Sequence, residues 1–475
     1  MRAAPPLTGL ARVALAAALA ATAAGCALKS PPPVADLQKE ALAHTAVPAA
    51  FKATGGVAAP LAQRWLASFN DQALSALVDE ALTFNADLQG AALRVERAGG
   101  YLKVAGAALL PQVGAYGTGS GATSNSTSGL NGLWVSASLE LDIWGRIRYG
   151  QAAAQADAEA LAADYAYARQ SLAAMVAKSW FVATEAGLQR AIVQDMVRSS
   201  ESLLSLSQDR LRVGNGTEQD VAVARANVGP YRDMLRQADL SREQALRALE
   251  LLLGRYPAAE LAVAQSLSAM PAPVPVGLPS ELLERRPDVV AAERRVAAAF
   301  NRIGEARAAR LPRISLTAGS STISSDVIVL QDRDNPAWGL GINLLAPIYQ
   351  GGALRAQVDI RTTEQKLAVP AYARAGQRAF GEVENALAAE FALNDREAIL
   401  QANVRDNERA LELAKNQFRV GSADRRAVEQ RQLSLQSART SLLRVQSERL
   451  AQRVNLHLAL GGDFSETTAG PVAAR

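Results

Sequence analysis

The chain has 475 residues, enough for roughly two or three ordinary domains, yet aromatics make up only 5% and it carries two His and one Cys. A structural zinc site needs about four Cys or His ligands, and His44, His457 and Cys26 supply three at most. The net charge of +4 is small and its basic residues are interleaved with acidic ones, which leaves no phosphate-binding footprint and argues against nucleic acid as a partner.

The N-terminus, MRAAPPLTGLARVALAAALAATAAGCALKS, places Arg2 and Arg12 before an apolar run that ends in small residues. Residues 1–25 are expected to be a secretory signal peptide, because the run is too short to favour a membrane-spanning helix. Cys26 follows Ala23-Ala24-Gly25, a pattern that resembles the lipobox of bacterial lipoproteins, with Ala23 where Leu is usual. A lipid on Cys26 is the expected covalent addition, and no other cofactor is implied. Residues 26–64, including SPPPVADLQKEALAHTAVPAA, read as a tether rich in Pro and Ala.

The rest of the chain matches itself. AALRVERAGGYLKVAGAALLPQV, from Ala91, aligns without gaps on the segment from Ala292 at an offset of 201, which brings Leu110-Pro111 onto Leu311-Pro312 and Asp87 onto Asp288. Gly214 falls on Gly421, and Leu253-Gly254 on Leu460-Gly461, at an offset of 207. The shift lies between IWGRIR (Ile143–Arg148) and IYQGGALR (Ile348–Arg355). Alanine-rich helices resemble one another by composition, but matched Pro and Gly positions are punctuation. A first repeat over 65–277 and a second over 278–461 follow, with 462–475 as a C-terminal tail.

Each repeat reads in one order. A helix comes first, about Asp71 to Leu109 and about Ser280 to Arg310, closed by Leu-Pro because the residue before Pro is pushed out of the helical region. Asp87 and Asp288 are first-turn carboxylates, favourable to the helix dipole. Two extended segments follow, near 112–120 and 133–143, then near 313–321 and 337–347. A very long helix comes next, about Gly150 to Arg212 and about Ala353 to Arg419, spanning roughly 95–100 Å. In the second of these, Leu400, Val404, Asn407, Leu411, Ala414 and Phe418 step by coiled-coil spacing. A glycine turn at 212–217 or 419–424 then leads into a return helix. Pro230 and Pro370 interrupt helical patterns, where a kink is expected.

In LWVSASLELDI, Leu133, Val135, Ala137, Leu139, Leu141 and Ile143 alternate with Trp134, Ser136, Ser138, Glu140 and Asp142. Trp338, Leu340, Ile342 and Leu344 alternate with Gly339, Gly341 and Asn343, and Ile314, Leu316 and Ala318 with Ser315 and Thr317. QVGAYGTGS is the weakest of the four segments. Such alternation fits a strand with lipid on one face and water on the other, and equally a soluble half-buried sheet. Export, and the lack of an apolar run of 18 residues after Cys26, favour a barrel. Trp134 falls on the polar face, where an interfacial belt is the one reading available. Four strands cannot close a barrel, since the smallest have about eight, so the chain is expected to oligomerise.

LPSELLERRPDVVAAERRVAAAFNRIGEARAARLPRISLTAGSS, LELDIWGRIR and ALELLLGRYPAAEL resemble the outer-membrane efflux lipoproteins of the NodT type, within the TolC-like family, from about Trp65 to Gly461. The resemblance implies a mixed α and β membrane protein. It would be a homotrimer whose chains each give four strands to a twelve-stranded outer-membrane β-barrel, continued by a long periplasmic α-helical barrel. It also implies a periplasmic adaptor and an inner-membrane transporter, commonly of the resistance-nodulation-division type, as partners in drug export. The glycine turns would then meet the adaptor, through Arg212, Val213 and Gly214 and through Arg419, Val420 and Gly421. A tight helical hairpin asks for glycine at positive φ in any case.

The same resemblance places a periplasmic gate at Asp220, an aspartate common in the first repeat of such channels. In the second repeat Gln430 stands where they often carry aspartate, with Asp424, Arg425 and Arg426 nearby. Two alternatives remain at this stage. One is the exit duct of a type I protein-secretion or heavy-metal system; the other is a periplasmic coiled-coil scaffold without a pore. No nucleophile with a matching base, metal cluster or phosphate loop stands out, so no enzyme is expected.

Overall fold

The computed structural model describes residues 28–53, 64–118, 131–277, 279–324 and 337–462. The signal-peptide reading, Cys26 and the C-terminal tail beyond 462 lie outside the described residues. A short helix α1 (Val34–Ala41) and a 3-10 turn (Trp65–Phe69) precede α2 (Gln72–Phe84), α3 (Ala86–Ala107), β1 (Gln112–Thr118), β2 (Asn131–Leu141), α4 (Arg146–Arg212) and α5 (Glu218–Leu252). Then come α6 (Pro279–Arg285), α7 (Pro287–Ala308), β3 (Arg313–Ser324), β4 (Ala337–Leu345), α8 (Ala353–Arg419) and α9 (Arg425–Ala459). The duplication is visible in helix lengths: α3 and α7 have 22 residues each, α4 and α8 have 67, and α5 and α9 have 35. Pro230 lies inside α5 and Pro370 inside α8.

The single opening helix expected in each repeat is broken in two. In the first repeat Asn85 caps α3: its side-chain oxygen accepts from the Leu88 N–H at 3.0 Å, and its amide donates to the Leu252 carbonyl at 3.0 Å. In the second, Arg286 is followed by Pro287, which favours the first helical position and bars the residue before it from helix. Arg286 Nη1 donates to the Ala459 carbonyl at 3.2 Å. Donors and acceptors are thus related by the offsets of 201 and 207 found in the sequence. A neutral amide in one repeat and a guanidinium in the other hold the same helix end.

Two compact units divide the described residues. One comprises Thr45–Leu93, Asp164–Val290 and Gly376–Arg475. Its core gathers Trp65, Phe69, Leu74, Val78, Phe181, Leu246, Leu249 and Val454. Helix α2 buries Leu74, Leu77, Val78 and Ala81, the i, i+3, i+4, i+7 face of an amphipathic helix. Asp71 starts it, accepting from the Leu74 N–H at 3.0 Å, Trp180 Nε1 at 2.9 Å and Ser268 Oγ at 2.8 Å. Between α8 and α9, Val404 and Leu411 pack on Leu435 and Ala438, two positions of the sequence heptad.

Gly254, just past α5, sits at φ +75, and a Cβ there would meet the Phe84 carbonyl oxygen at 2.7 Å. Gly254→Ala is therefore expected to destabilise by roughly 2–4 kcal/mol, combining left-handed strain with a backbone clash. Gly214→Ala, at φ +79 with no atom within 4 Å of its Cβ, carries the strain alone, about 1–2 kcal/mol. Thermal unfolding of the two variants side by side measures the difference.

The other unit comprises Met1–His44, Arg94–Ala163 and Ala291–Ala375. It holds one antiparallel sheet in the order β1-β2-β3-β4. Val135 lies opposite Ala115 on β1 and Ser320 on β3, and Leu316 opposite Leu139 on β2 and Ile342 on β4. Among the described residues, β1 and β4 each pair with one strand only.

Candidate functional site

The register sorts the strand side chains into two faces. Val113, Val135, Ala137, Leu139, Leu141, Ile314, Leu316, Ala318, Trp338, Leu340, Ile342 and Leu344 share one face across all four strands. Gly114, Tyr116, Trp134, Ser136, Ser138, Glu140, Ser315, Thr317, Gly339, Gly341 and Asn343 share the other. On the apolar face Val113, Leu133, Trp338, Leu340, Ile342 and Leu344 are exposed, with no protein layer over them. Trp134 does not join an interfacial belt on that face. It stands on the polar face against Tyr116, rings 5.7 Å apart and tilted 41°, a cross-strand aromatic pair. Exposed aromatics flank the apolar band instead: Trp338 toward the loop end, and Trp144 and Tyr349 just past the other end.

The stretch LDIWGRIR is a strand-to-helix corner. Both Asp142 carboxylate oxygens cap α4, accepting from the Ile147 and Arg148 N–H groups at 2.9 Å each. Arg148 Nη2 returns to the Asp142 carbonyl at 2.9 Å, and Arg146 pairs with Glu140 at 2.8 Å. β2 ends at Leu141 because Asp142 turns its side chain to this cap. The first described residues reach the same corner. The Lys29 N–H donates to Tyr149 Oη at 2.9 Å, and a Cβ at Gly145 would stand 2.6 Å from Leu28 Cδ2.

The two glycine turns have one construction. The Asn215 N–H bonds to the Arg210 carbonyl at 2.8 Å and the Gly214 N–H to Leu211 at 3.0 Å. In the second turn, Ser422 bonds to Gln417 at 2.9 Å and Gly421 to Phe418 at 3.1 Å. Both are Schellman endings with glycine in the left-handed region, Gly421 at φ +75. No atom lies within 4 Å of a Cβ at either glycine, and Val213 and Val420 beside them are exposed. Arg212 holds Asp209 at 2.8 Å, and Arg419 bonds Asn416, so each tip arginine pairs one turn back on its own helix.

The three gate candidates differ in their bonding. Asp220 closes a capping box with Thr217, accepting from its N–H at 3.0 Å and hydroxyl at 2.8 Å. Those two bonds hold its carboxyl below the usual range. Asp424 caps α9 by accepting from the Ala427 N–H at 3.1 Å. Its other oxygen takes Arg426 at 3.0 Å and, from the other hairpin, Arg210 at 3.3 Å. Partial desolvation works to raise the Asp424 carboxyl, but the Arg426 and Ala427 bonds outweigh it and the net shift is downward. Gln430 is exposed on α9, and its carbonyl accepts from Ser434 Oγ at 3.1 Å. The sequence does not mark Arg210 as part of this cluster: it lies beside the first glycine turn, but nothing local points to a partner 214 residues away.

A sheet with one largely apolar face, one largely polar and glycine-rich face and a single-paired strand at each side cannot sit alone in water. It is the share one chain gives to a transmembrane barrel, the only β arrangement that leaves no backbone edge in lipid. The fold thus defines an outer-membrane-type channel. The family model for outer membrane efflux protein matches residues 77–255 and 278–462, and the chain belongs to that family. The cation efflux system protein CusC of Escherichia coli O6:H1 is 32% identical over 416 residues, covering 85% of this chain and 88% of CusC. The probable efflux pump outer membrane protein TtgC of Pseudomonas putida is 31% identical over 420 residues, 86% of each chain. The outer membrane channel MtrE of Neisseria gonorrhoeae, solved in its open state, superposes with a TM-score of 0.77 at 28% identity, over 94% of this chain and 99% of MtrE.

The chain is therefore an efflux channel of the outer membrane and not an enzyme. Its fold class is a trimeric barrel, to which each chain gives its four strands, continued by a helical barrel and built from an internal duplication.

Proposed function

We propose that the chain is the exit duct of a tripartite pump. It passively conducts drugs or other small molecules from an inner-membrane transporter of the resistance-nodulation-division type and a periplasmic adaptor. The observation that carries this is the two-faced sheet, whose small-polar face leaves room for solute while its apolar face meets lipid. Purified protein in planar bilayers is expected to give discrete conductance steps, and deletion of the gene to raise drug susceptibility. A preparation that never conducts would count against passive conduction through the isolated duct. A second reading is favoured by CusC, whose name records cation efflux; sensitivity of the deletion strain to metal cations, with drugs unaffected, selects it.

Arg212, Val213, Gly214, Arg419, Val420 and Gly421 are the proposed adaptor contacts, supported by two exposed valines on turns built alike. Gly421→Leu is expected to abolish adaptor crosslinking while leaving trimers in the membrane. Unchanged crosslinking and drug susceptibility would count against the contact. The periplasmic gate is proposed at Asp220, Asp424 and Gln430. It is supported by the ion pair that ties Asp424 to Arg210 of the other hairpin.

Cys26 is proposed to carry the lipid that anchors the chain in the outer membrane. Leu28 and Lys29 stand at the corner just past β2, so a lipid two residues earlier needs little chain to reach the bilayer. Cells grown with labelled palmitate are expected to label the wild type and not Cys26→Ser. Label persisting in the variant places the lipid elsewhere.

A further inference from the structure

The polar face of the sheet carries small side chains over most of its middle. Gly114, Ser136, Gly319 and Gly339 form one row across the four strands, and Gln112, Ser138, Thr317 and Gly341 the next but one toward the helices. The row on the loop side differs. There Tyr116 and Trp134 stand side by side, followed by Ser321 and Ala337. Among the described residues they are the only aromatic side chains on this face. Tyr116 is 66% accessible and Trp134 is half-buried. The glycines and serines around them are too short to cover either ring.

The duplication shows what the sheet itself requires at this step. The offset of 201 carries Tyr116 onto Thr317, which faces Gly341 across β3 and β4. A threonine and a glycine therefore hold the same register in the second hairpin. A cross-strand pair adds at most about 1 kcal/mol, so the register does not demand two large rings. What the rings supply is a surface. Their centroids lie 5.7 Å apart with planes tilted 41°, which makes a ledge of indole and phenol on a wall of glycine and serine. Aromatic faces carry the negative pole of the ring quadrupole and attract both flat aromatic systems and cations. No acidic side chain stands in either of the two rows that hold and adjoin the pair. A solute bound there is recognised by its ring first and by its charge through that ring.

We propose that the Tyr116–Trp134 ledge is a binding site on the lumen wall for planar aromatic cations. They stack on the indole and phenol, and their charge is drawn to the ring faces. The trimeric barrel offers three such ledges, one from each chain, close to its loop end.

This rests on the exit-duct reading above, which makes the polar face a surface that solutes pass, and the test separates the two. Purified trimers in a non-ionic detergent are dialysed to equilibrium against ethidium, a planar aromatic cation, and against tetraethylammonium, a cation without a ring. Tyr116→Thr with Trp134→Gly copies the pair that the second hairpin already keeps in register, and Trp134→Ser alone is a milder variant. Saturable ethidium binding is expected in the wild type, weakened about tenfold in the double variant and less in the single. Tyr116→Phe keeps the ring and is expected to bind as the wild type does. Tetraethylammonium is expected to bind weakly and equally to all. Equal ethidium affinity in the wild type and the variants, or a wild type that binds none, overturns the ledge and leaves the duct standing. If the double variant gives no native trimer, the single variant decides by the same comparison. The expected binding pattern, together with a deletion strain whose drug susceptibility is unchanged, supports the ledge and overturns the duct as a route for drugs.

Discussion

Replacing Arg286 by alanine is expected to cost roughly 3–5 kcal/mol, the range for removing one partner of a buried ion pair. Arg286 is fully buried. Its guanidinium grips Asp288 with two bonds, at 3.0 and 2.8 Å, and Glu382 with a third at 2.6 Å. A fourth goes to the Ala459 carbonyl. Truncation leaves Asp288, which is only 10% exposed, with Arg378 at 2.9 Å as its remaining cation. The penalty comes from that stranded carboxylate more than from lost attraction. Adding Asp288→Asn to Arg286→Ala is therefore expected to recover part of the loss, and denaturant unfolding of the single and double variants measures it. A single variant within about 1 kcal/mol of wild type would show that the cluster is dispensable.

Acid is expected to weaken the protein through His457. The ring is buried, stacks on Trp65 at 5.5 Å and 16°, and neither nitrogen bonds to another described residue. Burial, with the nearby Arg453 charge adding to it, pulls its pKa from 6.5 down to about 3. Between those values the unfolded chain binds a proton that the folded chain refuses, so stability is present above pH 6.5 and drains away as pH falls toward 3. At about 1.4 kcal/mol per unit, the loss is about 2 kcal/mol at pH ~5 and approaches about 5 kcal/mol near pH ~3. Carboxylates such as Asp288, held down by Arg286 against its own desolvation, lose their contribution only at lower pH. His457→Phe keeps the stack and removes the titration. Its unfolding midpoint is expected to be flat from pH ~7 to ~5 where the wild type falls. An equal acid slope in the variant would assign the effect to other groups.

Much of this protein could be read locally. LWVSASLELDI declares a strand with two unlike faces because side chains alternate at every residue, whatever lies around them. Leu-Pro and the left-handed glycines mark helix ends through steric rules that operate within a few residues. The repeat follows from those marks recurring at fixed offsets. Local pattern extends the opening helices through Asn85 and Arg286, which look like ordinary helix-surface residues. Pro287 bars Arg286 from the helix and Asn85 caps α3 through the Leu88 N–H, and bonds to carbonyls 167 and 173 residues away hold both ends in place.

By itself the sequence determined the succession of strands, long helices and glycine turns, the duplication and the two-faced strands, since each is written in short-range periodicity and backbone sterics. The tertiary structure alone decided that Trp134 meets Tyr116, that Arg210 crosses to Asp424, that Arg286 is buried and that His457 lies under Trp65. These depend on which distant segments pack together, and an arginine or histidine on a helix carries no local sign of being solvated or enclosed.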